Sequence, residues 1–187
     1  MNSKPNSGAK WIVSMPDAIP FRLAILKEIE VRLARVNPTN GYISDLSGPG
    51  AVETGRLWLG DSDPVPMVTV VEPPLVIEQA RKQKDNPNRA TEWDLIVQGW
   101  VEVSRKKPID GAYIMAAEIG MELTKVLKER DGPGSDASTN FLGFGPRIQS
   151  FLVGSPVVRP PEHASANAQF YLILNMQIVE DMAKPFG

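Results

Sequence analysis

The chain has 187 residues, with 20 Lys and Arg against 22 Asp and Glu, one His and no Cys. This composition excludes a disulfide framework, a cysteine-ligated metal centre, a thiol nucleophile and a multi-histidine metal site within one subunit, and a formal net charge of −2 is no signature of a nucleic-acid binder. The length suits one domain that buries about 70% of the surface its unfolded chain exposes, while Gly and Pro make up 32 residues, above the usual share of roughly 12%, so turns and extended connections are abundant.

Residues 1–16 read as a flexible lead-in. Met1 to Lys10 are polar, unlike a secretory signal, and Trp11 to Val13 form a short apolar patch. No apolar run approaches the ~20 residues of a membrane helix. The rest, residues 17–187, reads as one α+β domain. A first helix is predicted from about Asp17 or Ile19 to Val36, with Asp17 as N-cap and Pro20 in the first turn. Leu26, Ile29, Leu33 and Val36 form its apolar stripe, extended by Leu23, and Asn37-Pro38 stops it.

After the turn at Asn40-Gly41 the hydrophobic period changes. Tyr42 to Leu46 and Val52 to Leu59 are expected as short strands, and Met67 to Glu72 as a β-branched strand ended by Pro73-Pro74. Leu75 to Thr91 is polar and is expected as a long exposed loop. Trp93 to Val103 is a long strand with Trp93, Leu95, Val97, Val101 and Val103 on one face. A second helix is expected from Asp110 to about Arg130, with Met115, Ile119, Leu123 and Val126 as its stripe and Gly132-Pro133-Gly134 as its stop. Strands near Ile148 to Val158 and Ala168 to Val179 follow. Strands and helices do not alternate regularly. The expected fold is therefore α+β: a mainly antiparallel sheet with two amphipathic helices packed on one face, and long hairpin or loop excursions.

Catalytic motifs are absent. There is no phosphate-cradling loop, dinucleotide fingerprint or His-Glu-x-x-His. His163 reads as a solvated loop residue, and Asp61 with Asp63 as a turn, since Pro64 interrupts any calcium-loop pattern. Asp94 and Glu102 lie about 27 Å apart along one strand, too far to act as a carboxylate pair. No catalytic, cofactor-binding or metal-binding residue is assigned, and no cofactor is expected. Arg81, Lys82, Lys84 and Arg89 in the long loop, and Arg105 to Lys107 at the strand end, suit solvation or a protein contact better than nucleic acid.

A string of short motifs carries a family resemblance. Ala34-Arg35-Val36 ends the first helix, and Asn40-Gly41-Tyr42 leads to Asp45. Gly55-Arg56-Leu57-Trp58, Asp63 to Pro66 and Glu72-Pro73-Pro74 follow. Trp93-Asp94-Leu95-Ile96-Val97-Gln98-Gly99 then makes the long strand, and Lys107-Pro108-Ile109-Asp110-Gly111-Ala112-Tyr113 enters the second helix. Over residues 19–130, with a matching final strand at 168–179, this resembles the tail terminator (tail completion) proteins of tailed bacteriophages. Residues 132–166 depart from the simplest members in length and in Gly and Pro content.

The resemblance implies a structural virion protein rather than an enzyme, assembled in the host cytoplasm. It implies a hexameric ring of identical subunits on the head-proximal end of the tail tube, which ends tube polymerisation and joins the head–neck connector. The implied partners are further copies, the tail tube protein and the connector or neck proteins. Membranes are not among them, and DNA passes through the lumen only as cargo. Arg81, Lys82, Lys84 and Arg89, with Phe141 and Phe144, are the expected subunit or partner contacts. The alternatives are a head–tail connector or head-completion protein and, in another class, a small α+β enzyme or ligand-binding domain.

Overall fold

The computed structural model describes residues 19–74, 88–129, 140–161 and 166–186. Its sheet grows from β6 (Asn167–Asp181), in which Ala168, Phe170, Leu172, Leu174, Met176 and Ile178 alternate inward and are buried. β3 (Asn88–Glu102) runs antiparallel beside it over fifteen residue pairs, from Asn88↔Asp181 to Glu102↔Asn167. β2 (Met67–Val71) pairs antiparallel with β3, and β1 (Val52–Thr54) lies parallel to β2 at that edge. On the far side of β6, β4 (Ile148–Val153) and β5 (Val157–Arg159) lie end to end, both antiparallel to it. The α+β architecture expected from the sequence is present: a mostly antiparallel sheet with α1 (Phe21–Leu33) and α2 (Asp110–Glu129) on one face.

The stripe Met115, Ile119, Leu123 and Val126 is buried as its spacing predicts, and Ala112 and Ala116 widen it. The helix settles on the sheet where Gly99 and Gly111 leave room. A Cβ on Gly99 would lie 2.2 Å from Cε1 of Phe170, so that ring occupies the space a side chain would need.

Several expectations are corrected. α1 starts at Phe21 after Pro20, whose carbonyl accepts from Ala24 N at 2.9 Å, and Asp17 lies outside the described residues. Its buried stripe is Phe21, Ile25, Ile29 and Leu33, continued by Val36, while Leu23 points outward. The i, i+4 spacing from Phe21 sets the face, because that ring also packs edge-on to Phe144. Tyr42 to Leu46 is not a strand. Tyr42 and Leu46 are buried from an irregular segment pinned by Leu46 N to Val36 O at 2.8 Å. The strand expected over Val52 to Leu59 stops at Thr54, where Gly55 takes a left-handed φ of 78°. Residues 88–91 belong to β3 rather than to a loop, because the strand is carried by its ladder to β6 and not by its own alternation. The remainder of that expected loop, 75–87, lies outside the described residues, as do 1–18 and 130–139. The strand near Ile148 to Val158 divides at Gly154, Ser155 and Pro156, with Gly154 N still reaching Ile173 O at 2.8 Å.

The second face of the sheet is covered only in part. The segment 55–66 lies over β2, where Met67, Thr69 and Val71 are buried although they point away from the helices. Arg56 N donates to Thr69 Oγ1 at 3.3 Å, and the Arg56 guanidinium pairs with Asp63 at 2.8 Å. Over β6, β4 and β5 nothing among the described residues provides such a cover, and Leu152, Val157 and Ile173 stand exposed.

Candidate interaction surface

No group of three or more His, Asp or Glu side chains poised to hold a metal ion occurs among the described residues, and His163 lies outside them. A cleft of about 320 Å³ lies between the start of α1 and the end of β6, lined by Phe21, Arg22, Arg147, Glu180, Asp181 and Met182. Its charges are engaged within the fold. Arg22 grips Glu180 through Nε at 3.1 Å and a terminal nitrogen at 2.7 Å, and the Arg147 guanidinium lies 3.5 Å from the centre of the Phe21 ring. The cleft therefore belongs to the junction between the start of α1 and the segment after β6, where Phe21 N also bonds Pro185 O at 3.0 Å.

The buried acids of α2 have a structural role as well. Glu118 accepts from the backbone N–H groups of Ile43 and Ser44, fixing the irregular segment to the helix. Glu122 accepts from Tyr42 Oη at 2.6 Å and from Lys125 Nζ at 2.7 Å. Burial pushes the Glu122 carboxyl up, but the Lys125 ammonium and the Tyr42 hydroxyl together outweigh it and hold it below the ordinary value. Burial, followed by the bond to Glu122, pushes the Tyr42 hydroxyl up, and the Glu122 carboxylate raises Lys125.

What these bonds leave at the surface is apolar. With Glu118 and Glu122 turned inward, the outward side of α2 from Tyr113 to Met121 carries no free charge. Tyr113, Ile114 and Met121 are exposed there, and Ile43, held beside the helix by Glu118, is 77% exposed. On the opposite layer, Leu152, Val157 and Ile173 form a second patch on the open sheet face, each more than half exposed. A third exposed pair, Leu57 and Trp58, projects from the segment over β2.

The expected contact residues fare differently. Arg81, Lys82 and Lys84 lie outside the described residues, and Arg89 falls within β3 opposite Glu180. Phe141 faces inward: it is 3% exposed and stacks on Phe151 with ring centres 6.3 Å apart. Phe144 packs edge-on against Phe21 at 5.6 Å. Arg105, Lys106 and Lys107 are exposed, with Lys107 Nζ 3.2 Å from Asp110. The α2 patch has a signal in the sequence, since Gly111 to Met121 holds one charged residue in eleven, and a helix apolar on all sides is normally covered on all sides. The sheet patch has a weaker one, because Leu152 and Ile173 break the polar side of otherwise alternating strands.

Among the described residues no helix is long and apolar enough to cross a membrane. No protein-family model matches the chain, and no curated protein matches it.

Proposed function

We propose that the protein is a structural subunit of a tailed-phage virion, a tail terminator that assembles into a ring on the head-proximal end of the tail tube. The ring ends tube polymerisation and presents a surface to the head–neck connector. The observation that carries this reading is the pair of unlike apolar patches on opposite layers of one chain, Tyr113, Ile114 and Met121 outside α2 and Leu152, Val157 and Ile173 outside the sheet. Large exposed apolar patches mark contact sites. A ring of identical subunits needs two different surfaces per chain, because its contacts join one patch to another by rotation rather than a patch to itself. The motif string from Ala34 to Tyr113 supports the particular ring.

The test is to purify the full chain, measure its mass by light scattering across a concentration series and image it with and without polymerising tail tube protein from the same genome. Closed rings, and shorter tubes capped at one end, are expected. A chain that leaves tube length unchanged and caps no tube overturns the terminator assignment, and rings that bind a portal instead place it in the neck.

A further inference from the structure

The two apolar patches differ in the charge around them. Beside α2, the exposed charges are mainly basic: Arg35, Arg105, Lys106, Lys107 and Lys125. The carboxylates of Glu118 and Glu122 are withdrawn into hydrogen bonds with the irregular segment and with Tyr42, while Asp110, paired with Lys107, and Asp45 in the irregular segment are exposed acids. Beside the sheet patch the balance reverses. Glu92 and Asp94 occupy exposed outward positions of β3 near the patch, with Glu102 further along the same strand, against Arg159 on β5. Asp94 lies in the same cross-strand row as Asn175, which donates to it at 2.7 Å, and Leu152, so acid and apolar surface adjoin.

We propose that both patches are covered by further copies of this chain, the α2 side of one subunit seated on the open sheet face of the next. The inference rests on the ring reading and adds which surfaces meet. Charge decides the pairing. Helix side against helix side would oppose Arg35, Arg105 and Lys106 to the basic rim of the second copy, and sheet against sheet would oppose Glu92 and Asp94 to its acidic rim. Like charges set against each other disfavour both arrangements, whereas helix on sheet brings basic rim to acidic rim around an apolar centre. The sizes also agree. Tyr113 to Met121 spans about 12 Å along the helix axis, and a helix about 10 Å wide covers two strands spaced ~4.8 Å apart, as β6 and the β4–β5 edge are. Each added copy leaves one helix side and one sheet face unfilled, so the contact propagates until rotation closes it.

Two variants of the full chain test this, Met121→Asp and Ile173→Asp. Both positions are more than half exposed, so the thermal melts of the isolated chains should match the wild type. Each substitution is expected to weaken self-association by about tenfold or more, because it places a charge at the centre of the contact. Each variant alone should then run as a monomer under conditions where the wild type assembles. Mixed in equal amounts, they should form a one-to-one dimer and stop there, through the intact helix side of the Ile173→Asp chain and the intact sheet face of the Met121→Asp chain. Variants that assemble alone like the wild type, or that each form homodimers to which mixing adds nothing, overturn the pairing. So does a mixture that yields no dimer. Imaging the wild type with tail tube protein then decides separately whether the ring reading survives.

Discussion

Tyr42 donates its hydroxyl hydrogen to Glu122 at 2.6 Å across eighty residues of sequence, and this bond fastens the irregular segment after α1 to the middle of α2. Glu122 is 2% exposed and Lys125 closes the group from its solvent side. Replacing Tyr42 by Phe leaves the carboxylate with one partner fewer in a buried position. A hydrogen bond to a charged group contributes roughly 1.5–3 kcal/mol. Urea unfolding of Tyr42→Phe is expected to show a loss in that range with an unchanged slope, since the surface exposed on unfolding is the same.

The same group gives the fold a pH window. The Glu122 carboxyl titrates below its ordinary 4.5 in the folded chain. Its contribution to stability is therefore complete above that value and is lost as pH falls through the lower folded value. Tyr42 and Lys125 titrate above their ordinary 10.0 and 10.5. Their contributions are complete below those values and are lost as pH rises through the raised ones. Denaturation midpoints measured against pH should show a plateau between these limits, and Glu122→Gln should flatten the acid limb.

Glu118 serves the neighbouring part of the same segment, accepting from Ile43 N and from Ser44 N at 3.0 Å. In Glu118→Ala both amides lose their acceptor, and amide hydrogen exchange at Ile43 and Ser44 should quicken while exchange in β6 stays slow. Equal quickening in β6 would mean that the segment and the sheet open together, as one cooperative unit.

At the helix–sheet contact, Gly99→Ala is expected to destabilise the fold by about 1–3 kcal/mol through overpacking against Phe170. Adding Phe170→Leu frees space at the ring position, so the double variant should lose less than the sum of the two single losses. That non-additivity, read from thermal melts, locates the conflict at the pair.

The inward face of β6 and the stripe of α2 were legible because each obeys one period over many residues. Phe170, Leu172, Leu174, Met176 and Ile178 recur at every second position, and Met115 to Val126 repeats at helical spacing. What escaped were features decided by distant partners. Residues 88–91 look like loop until the β6 ladder takes them up, and Tyr42 and Leu46 look like strand until Glu118 and Glu122 hold their segment against α2. Leu23 fits the first helix stripe by spacing, but the buried face runs through Phe21 and Ile25, each two positions from it. The surface was least legible. An exposed Ile173 and a buried Leu174 are neighbours of the same chemical kind, and only the positions of the helices tell them apart.

The aromatic residues offer the sharpest contrast between position in sequence and role. Phe141 sits in a Gly- and Pro-rich stretch that suggests a surface loop, yet it is buried against Phe151 within a short turn where Leu142 adopts a left-handed φ of 54°. Trp58 belongs to an equally loop-like stretch and is 70% exposed. Truncating Phe141 to Ala empties a core site and is expected to destabilise the chain by about 3–5 kcal/mol. Trp58→Ala removes little that the isolated chain buries and is expected to stay within about 0.5 kcal/mol of the wild type. A large loss of stability in Trp58→Ala would show that the indole braces the segment over β2. An unchanged melt instead identifies Trp58 as surface available to an anchoring contact, the kind of residue on which binding energy concentrates.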